Sequence, residues 1–190
     1  TNIISEGDEG AAHSYEIVAW SGDERRILLQ HDFGEDTEWI VIDRRNPEDS
    51  INASTLLGLN NIEDVMFANN DGRSLYGVVD GGLRVLSLDR GSISRPYASN
   101  VESYSMAASN YITYVTEPNE EGMQDVGYTK TSFDEPVVLR SIESVPGAEV
   151  LVTMDDYLDT WHVLIGQGRE AVLYSTPRLP SSPKGSIALT

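Results

Sequence analysis

Apolar and polar residues alternate along most of this chain in short runs, and turn-forming residues separate the runs. The stretch RILLQHDFGEDTEWIVID, residues 26–43, shows the pattern: two apolar-rich segments flank an acidic turn containing Gly34. Such period-2 runs predict half-buried β-strands, and the central turn predicts a hairpin. The same reading predicts strands over 15–20, 26–31, 37–43, 65–68, 74–80, 82–89, 104–108, 111–117, 125–130, 136–141, 150–154, 161–166 and 170–175. Ser21-Gly22-Asp23, Asn69-Asn70-Asp71-Gly72, Asp80-Gly81-Gly82 and Gly122 lie between them. These residue types tolerate the positive φ of tight turns. Residues 54–65 predict at most one helical turn, with Ser54 as its cap, because Gly58, Asn60 and Asn61 oppose a longer helix. The chain reads as all-β.

The strands recur in groups. VAWSGDERRILLQH from residue 18 aligns with VMFANNDGRSLYGVV from 65, SMAASNYITYVTE from 105 and VTMDDYLDTWHVLIG from 152. Each has a short strand, a tight polar turn and a longer strand. WIVID, LRVLSLD, DVGYTK and EAVLYST supply a third strand; SINAST, SISRPYAS and EPVVLRSI close the first three units with a more polar fourth. The starts lie 47, 40 and 47 residues apart, in the range of four-stranded propeller blades. A blade cannot hide both faces alone, so blades stack around an axis. The expectation is a β-propeller or propeller arc of about four blades of three to four antiparallel strands. It forms one domain over 1–190, with units at roughly 14–56, 61–99, 100–144 and 147–190. Trp39 is expected to pack against the second blade, and Trp20 and Phe67 to hold matching places on first strands. A β-sandwich of similar strand count is the competing architecture. The fourth unit lacks a clear outer strand. Residues 186–190, SIALT, are candidates for it or for the start of a fifth blade, and Asn2-Ile3-Ile4 for a clasp strand. The pattern stops partway through a unit, which favours an arc, and an arc would favour pairing between chains.

The motifs RILLQHDFGEDTEWIVID, RNPEDSINAST, FANNDGRSLYGVVDGGLRVLSLD and DEPVVLRS resemble the repeat region of bacterial PEGA-domain surface proteins. The turn NNDGR is similar to the S-P-D-G-K turn of TolB-type and WD-repeat blades. The resemblance spans roughly residues 14–175. It implies an extracytoplasmic, cell-surface location on a bacterium and a binding or wall-associated role, in a parent protein with a membrane anchor and a PEGA module. It carries no catalytic signature onto these positions, and the Trp-Asp dipeptide of WD repeats is absent: Ile40 follows Trp39, and His162 follows Trp161. A chain without an initiator Met is expected to be a mature product or an excised piece.

Charge narrows the partners. With 31 acidic and 13 basic residues the net charge is −18, which repels phosphate backbones and anionic lipid. Nucleic-acid binding and direct membrane binding are therefore not expected. No Cys is present, which removes disulfides and thiol chemistry within the chain.

Candidate chemistry is sparse. Gly166-Gln167-Gly168-Arg169-Glu170-Ala171 matches a dinucleotide fingerprint in letters, but a strand-like Ala-Val-Leu-Tyr follows where a helix is required, so a hairpin turn is expected. Asp155, Asp156 and Asp159, next to His162, are the candidate metal ligands. Calcium is the cation such an acidic turn would suit. They lack the EF-hand register, and a solvated turn is the plainer reading for them, for 117–121, and for Glu35, Asp36 and Glu38. No other cofactor is expected. Gly72-Arg73-Ser74-Leu75 misses the nucleophile elbow by one residue. His13, His31 and His162 read as scattered, with His31 and His162 at strand ends. Two functions follow. One is a non-catalytic binding or scaffolding domain that recognises protein or glycan through loop faces. The other is a carbohydrate-active hydrolase or lyase using axial carboxylates.

Overall fold

A computed structural model describes residues 3–6, 12–108, 110–132, 134–155 and 157–177. Among them are fifteen strands in four antiparallel sheets, each open at both edges. The first blade is β1 (His13–Trp20), β2 (Arg26–Phe33), β3 (Asp36–Asp43) and β4 (Ile51–Asn52). The second is β5 (Ile62–Phe67), β6 (Ser74–Val79), β7 (Gly82–Ser87) and β8 (Ser92–Ile93). The third is β9 (Val101–Ala108), β10 (Tyr111–Thr116), β11 (Met123–Lys130) and β12 (Val137–Glu143), and the fourth β13 (Glu149–Asp155), β14 (Thr160–Gln167) and β15 (Glu170–Pro177). Every sheet is a simple meander in sequence order. The thirteen strands expected from alternation are all present. The two additions, β4 and β8, are two-residue outer strands inside SINAST and SISRPYAS. The chain divides into two compact units, Thr1–Pro96 and Tyr97–Thr190, each holding two blades.

In the first unit, one face of the first blade meets the second. Leu28, Trp39, Val41 and Ala53 are buried with Ile62, Val65, Leu75, Val79, Leu86 and Leu88 in one cluster. Trp39 packs across this interface as expected, and its indole N–H donates to the carbonyl of Ile62 at 2.8 Å. The polar turns sit against each other as well. Asp23 N–H donates to the Asn70 carbonyl at 3.0 Å, and Arg26 Nη1 to the Asp71 carbonyl at 3.0 Å. A Cβ on Gly22 would lie 1.7 Å from Asn70 Oδ1, so this turn–turn approach needs glycine. In the second unit Tyr111, Val115, Val126 and Ile142 of the third blade are buried with Val152, Trp161 and Val163 of the fourth. Trp161 stacks on Tyr128 at 4.3 Å between ring centroids; its N–H has no hydrogen-bond partner among the described residues.

Two local expectations are corrected, and a third, the matching places of Trp20 and Phe67, holds with a difference in burial. The helical turn is α1 (Ala53–Leu57), and its cap is Asn52, whose Oδ1 accepts from Thr55 N–H at 2.9 Å. The Ser54 hydroxyl accepts instead from the buried Trp39 N–H at 3.0 Å. Gly58, at φ 66°, ends the helix. Ile3 and Ile4 form no strand: the Ile3 carbonyl accepts from Asn52 Nδ2 at 3.0 Å, which ties this segment to the first blade. Trp20 and Phe67 both close first strands, but Trp20 is half exposed under the Arg44 guanidinium while Phe67 joins the core. Residues 186–190 and Asn2 lie outside the described residues.

A buried carboxylate locks the open end of the β2–β3 hairpin, away from its turn. Asp43 is fully buried and accepts from Arg25 Nε at 2.7 Å and from the N–H groups of Arg45 and Asn46 at 3.0 Å. The Arg25 hydrogen bond, with those two backbone donors, overcomes the opposing effect of burial and holds its pKa at about 2.

Two predictions follow from this packing. Trp39→Phe keeps most of the packing but strands the Ile62 carbonyl, so urea unfolding should show a loss of about 1–3 kcal/mol, and Trp39→Ala a loss of about 3–5 kcal/mol. Because Asp43 titrates lower when folded, its stabilisation is full above the ordinary carboxylate range and disappears as pH falls through about 2. Asp43→Asn should cost roughly 1–3 kcal/mol at pH 7, with the gap to wild type closing between about pH 4 and 2. A gap that stays constant over that range would refute the ionic role.

Candidate functional site

The most organised polar cluster lies across the first blade. Antiparallel register places Tyr15 opposite His31 and His31 opposite Glu38, and side chains paired this way share a sheet face. On the next row His13 faces Phe33, and Phe33 faces Asp36. This face is opposite to the one carrying Leu28, Trp39 and Val41 to the second blade. His31 is fully buried, and its Nδ1 lies 2.7 Å from Glu38 Oε1. The far nitrogen of His31, Nε2, lies 2.9 Å from Nδ1 of the exposed His13. Flat rings hold the pair: Tyr15 stacks on His31 at 4.4 Å and 4°, and Phe33 on its other neighbour side at 4.9 Å.

Glu38 is itself almost wholly buried and fully engaged. Ser5 donates to it twice, from N–H at 2.9 Å and from its hydroxyl at 2.6 Å, and Asn52 Nδ2 donates at 2.6 Å. Burial alone would raise its pKa. The hydrogen bonds from Ser5, His31 and Asn52 outweigh that, so Glu38 is held below the ordinary carboxylate range. An ionised carboxylate only accepts, so His31 Nδ1 carries the proton of that bond. The chain therefore runs His13, His31, Glu38 and then the Ser5 segment.

Two open clefts flank β3. The larger, about 530 Å³, lies between the first two blades, with Glu16, Glu35, Asp36, Glu63 and Asp64 around it and Trp39 among its lining. The second, about 380 Å³, has Ser5 and Glu38 on its wall, and shares Asp36, Thr37 and Asn60 with the first. Among the described residues no Lys or Arg lines either.

The structure changes the reading of several residues. His13 and His31 are joined, and His31 is buried in mid-sheet rather than at an ordinary strand end. Glu38 is no solvated turn residue: it shares a sheet face with Asp36 but lies one row further from the turn, bonded to Ser5 and His31, while Glu35 and Asp36 at the turn stay exposed. Hairpin arithmetic would have found the pair, because a turn at Gly34-Glu35 sets every opposed pair of β2 and β3, His31 and Glu38 included. His162 bonds the Ser175 hydroxyl at 2.9 Å, in the other unit. Asp155 Oδ1 accepts from the N–H groups of Tyr157 and Leu158 at 2.9 and 3.0 Å, and Asp159 has φ 50°. Asp156 lies outside the described residues. Among those described, no three His, Asp or Glu side chains gather into one metal-ligand cluster. Gly166–Ala171 spans the β14–β15 hairpin, and Ser74 opens β6.

No protein-family model matches the chain, and no curated protein matches its sequence. Solved structures do match in three dimensions. One comes from a structural and mechanistic study of two prolyl endopeptidases, with a TM-score of 0.54 and 11% identity over 93% of this chain and 28% of that one. Another is an oligogalacturonate lyase in complex with manganese, with a TM-score of 0.55 and 10% identity over 82% of this chain and 48% of that one. The chain thus spans less than half the length of either. At such identity the likeness carries the fold and nothing further: this is an all-β chain built of antiparallel sheets in the manner of propeller blades.

Proposed function

We propose that the chain is a non-catalytic binding or scaffolding domain that recognises protein or glycan in the open cleft between its first two blades. The observation that carries this reading is the character of the cleft: wide, polar at its rim, acidic, and without a lining cation among the described residues. Such a surface suits an extended polyhydroxylated or cationic ligand and opposes polyanions. Asp23, Asp32, Glu38 and Asp43 are all held below the ordinary range, which keeps them ionised and adds to the acidity of the first blade. The resemblance of the repeats to the propeller region of bacterial PEGA-domain surface proteins extends the proposal to a location outside the cytoplasm, at the cell surface. The half-exposed Tyr15, Ile17 and Trp20 of edge strand β1 support self-association as part of the same reading.

A glycan array, with pull-downs from cell-surface extracts, tests the proposal. A ligand should bind without being turned over, and Glu63→Lys, an exposed cleft substitution, should weaken a cationic ligand by about tenfold, equal to ~1.4 kcal/mol. Cleavage of a bound glycan would establish the hydrolase or lyase reading instead. Calcium at the Asp155–Asp159 turn is a separate proposal. At ~100 times its dissociation constant it should stabilise the fold by about 2.7 kcal/mol, and a melting curve unmoved by excess calcium would remove it.

A further inference from the structure

The contact between His13 and His31 has a feature that packing alone does not require. Two imidazole nitrogens, His13 Nδ1 and His31 Nε2, face each other at 2.9 Å. The opposite nitrogen of His31 is committed to Glu38 at 2.7 Å, so Nε2 is the nitrogen with a lone pair to offer, and it is aimed at His13. A carboxylate bonded behind an imidazole is the arrangement that fixes tautomer and ring orientation in histidine metal sites. Here the carboxylate is fixed in turn by Ser5 and Asn52. Tyr15 and Phe33 stack on the His31 ring and hold its plane. The site is reachable, because His13 is exposed on edge strand β1 while His31 lies beneath it.

We infer that His13 and His31 form a binding site for a borderline divalent transition ion of the zinc, copper or nickel class, taken by His31 Nε2 and His13 Nδ1. This inference is independent of the cleft and its ligand. Imidazole suits these ions, and oxygen-seeking calcium and magnesium gain nothing from it. Two nitrogens on one tetrahedral ion, each at ~2.0–2.1 Å, stand about 3.3 Å apart, so the pair must open by roughly 0.4 Å. His13, at the start of an exposed edge strand, can supply that movement. In the metal-free chain a single proton fills the space between the nitrogens. The ion takes its place, and that proton is carried instead on the other ring nitrogen of His13, so both imidazoles bind as neutral ligands with no net proton released. With two protein ligands and water in the remaining positions, the ion exchanges readily and is not a structural one.

The test is calorimetric titration of the untagged chain with zinc chloride in two buffers of different ionisation enthalpy, with calcium chloride alongside. One zinc per chain should saturate with the same observed heat in both buffers, and calcium should not compete. His13→Ala should weaken zinc at least tenfold. It sits at an exposed position, so loss of fold does not confound it. Glu38→Gln should weaken zinc by about 10–100-fold. His162→Ala, in the other unit, should change nothing. No saturable zinc binding by the wild-type chain, or equal binding by His13→Ala and wild type, would overturn the site. The second result would assign the zinc to scattered surface carboxylates.

Discussion

Hydrophobic burial between successive sheets is the constraint from which the rest follows. A meander of three or four short strands has two faces and too little mass to hide either by itself. In the first unit one face of the first blade is hidden against the second by Leu28, Trp39 and Val41. The indole of Trp39 then does what area alone cannot: its hydrogen bond to Ile62 fixes how the two sheets align. The turns add a second fixed point, where Asp23 N–H bonds the Asn70 carbonyl and Gly22 makes room for the Asn70 side chain. Nonpolar area supplies most of the driving force, and these directional contacts select one packing among many of similar area.

The same blade buries two carboxylates and satisfies them in different ways. Asp43 has a guanidinium and two backbone donors, a closed arrangement with no further capacity, at the hairpin end away from the clefts. Glu38 is held by neutral donors and by an imidazole whose second nitrogen leads out through another imidazole to solvent. Both are ionised and both are paired, as burial of charge demands. The second leads to an exposed imidazole and borders a cleft.

Strand positions were legible in the sequence because alternation and turn residues are local signals. The blade repeat was legible because local signals recurred at a fixed spacing. The outer strands β4 and β8 were visible only as polar segments, since two residues cannot display a period. The helix cap was misplaced by two residues because Asn52 and Ser54 are both good capping types, and only the backbone shows which one faces Thr55 N–H and which faces Trp39 N–H. The histidine–glutamate row was missed for another reason. It is built from residues distant along three strands, and reading it needs register as well as strand identity. Glu38 also looked solvated because Asp36 shares its face of the sheet, and only the contacts with Ser5 and His31 set Glu38 apart. The clefts and the tie from Ser5 to Glu38 had no sequence signal, since the segment around Ser5 has no period.

The two-residue turn at Gly34-Glu35 gives the first blade a rule of parity. His31 and Glu38 meet because the hairpin reverses between Phe33 and Asp36. Slipping β3 by one residue against β2 would turn the whole strand over, sending Glu38 toward the second blade and Trp39 toward the histidines. A slip of two would return both to their own faces but part His31 from Glu38. The inter-blade core and the polar row thus depend on one register.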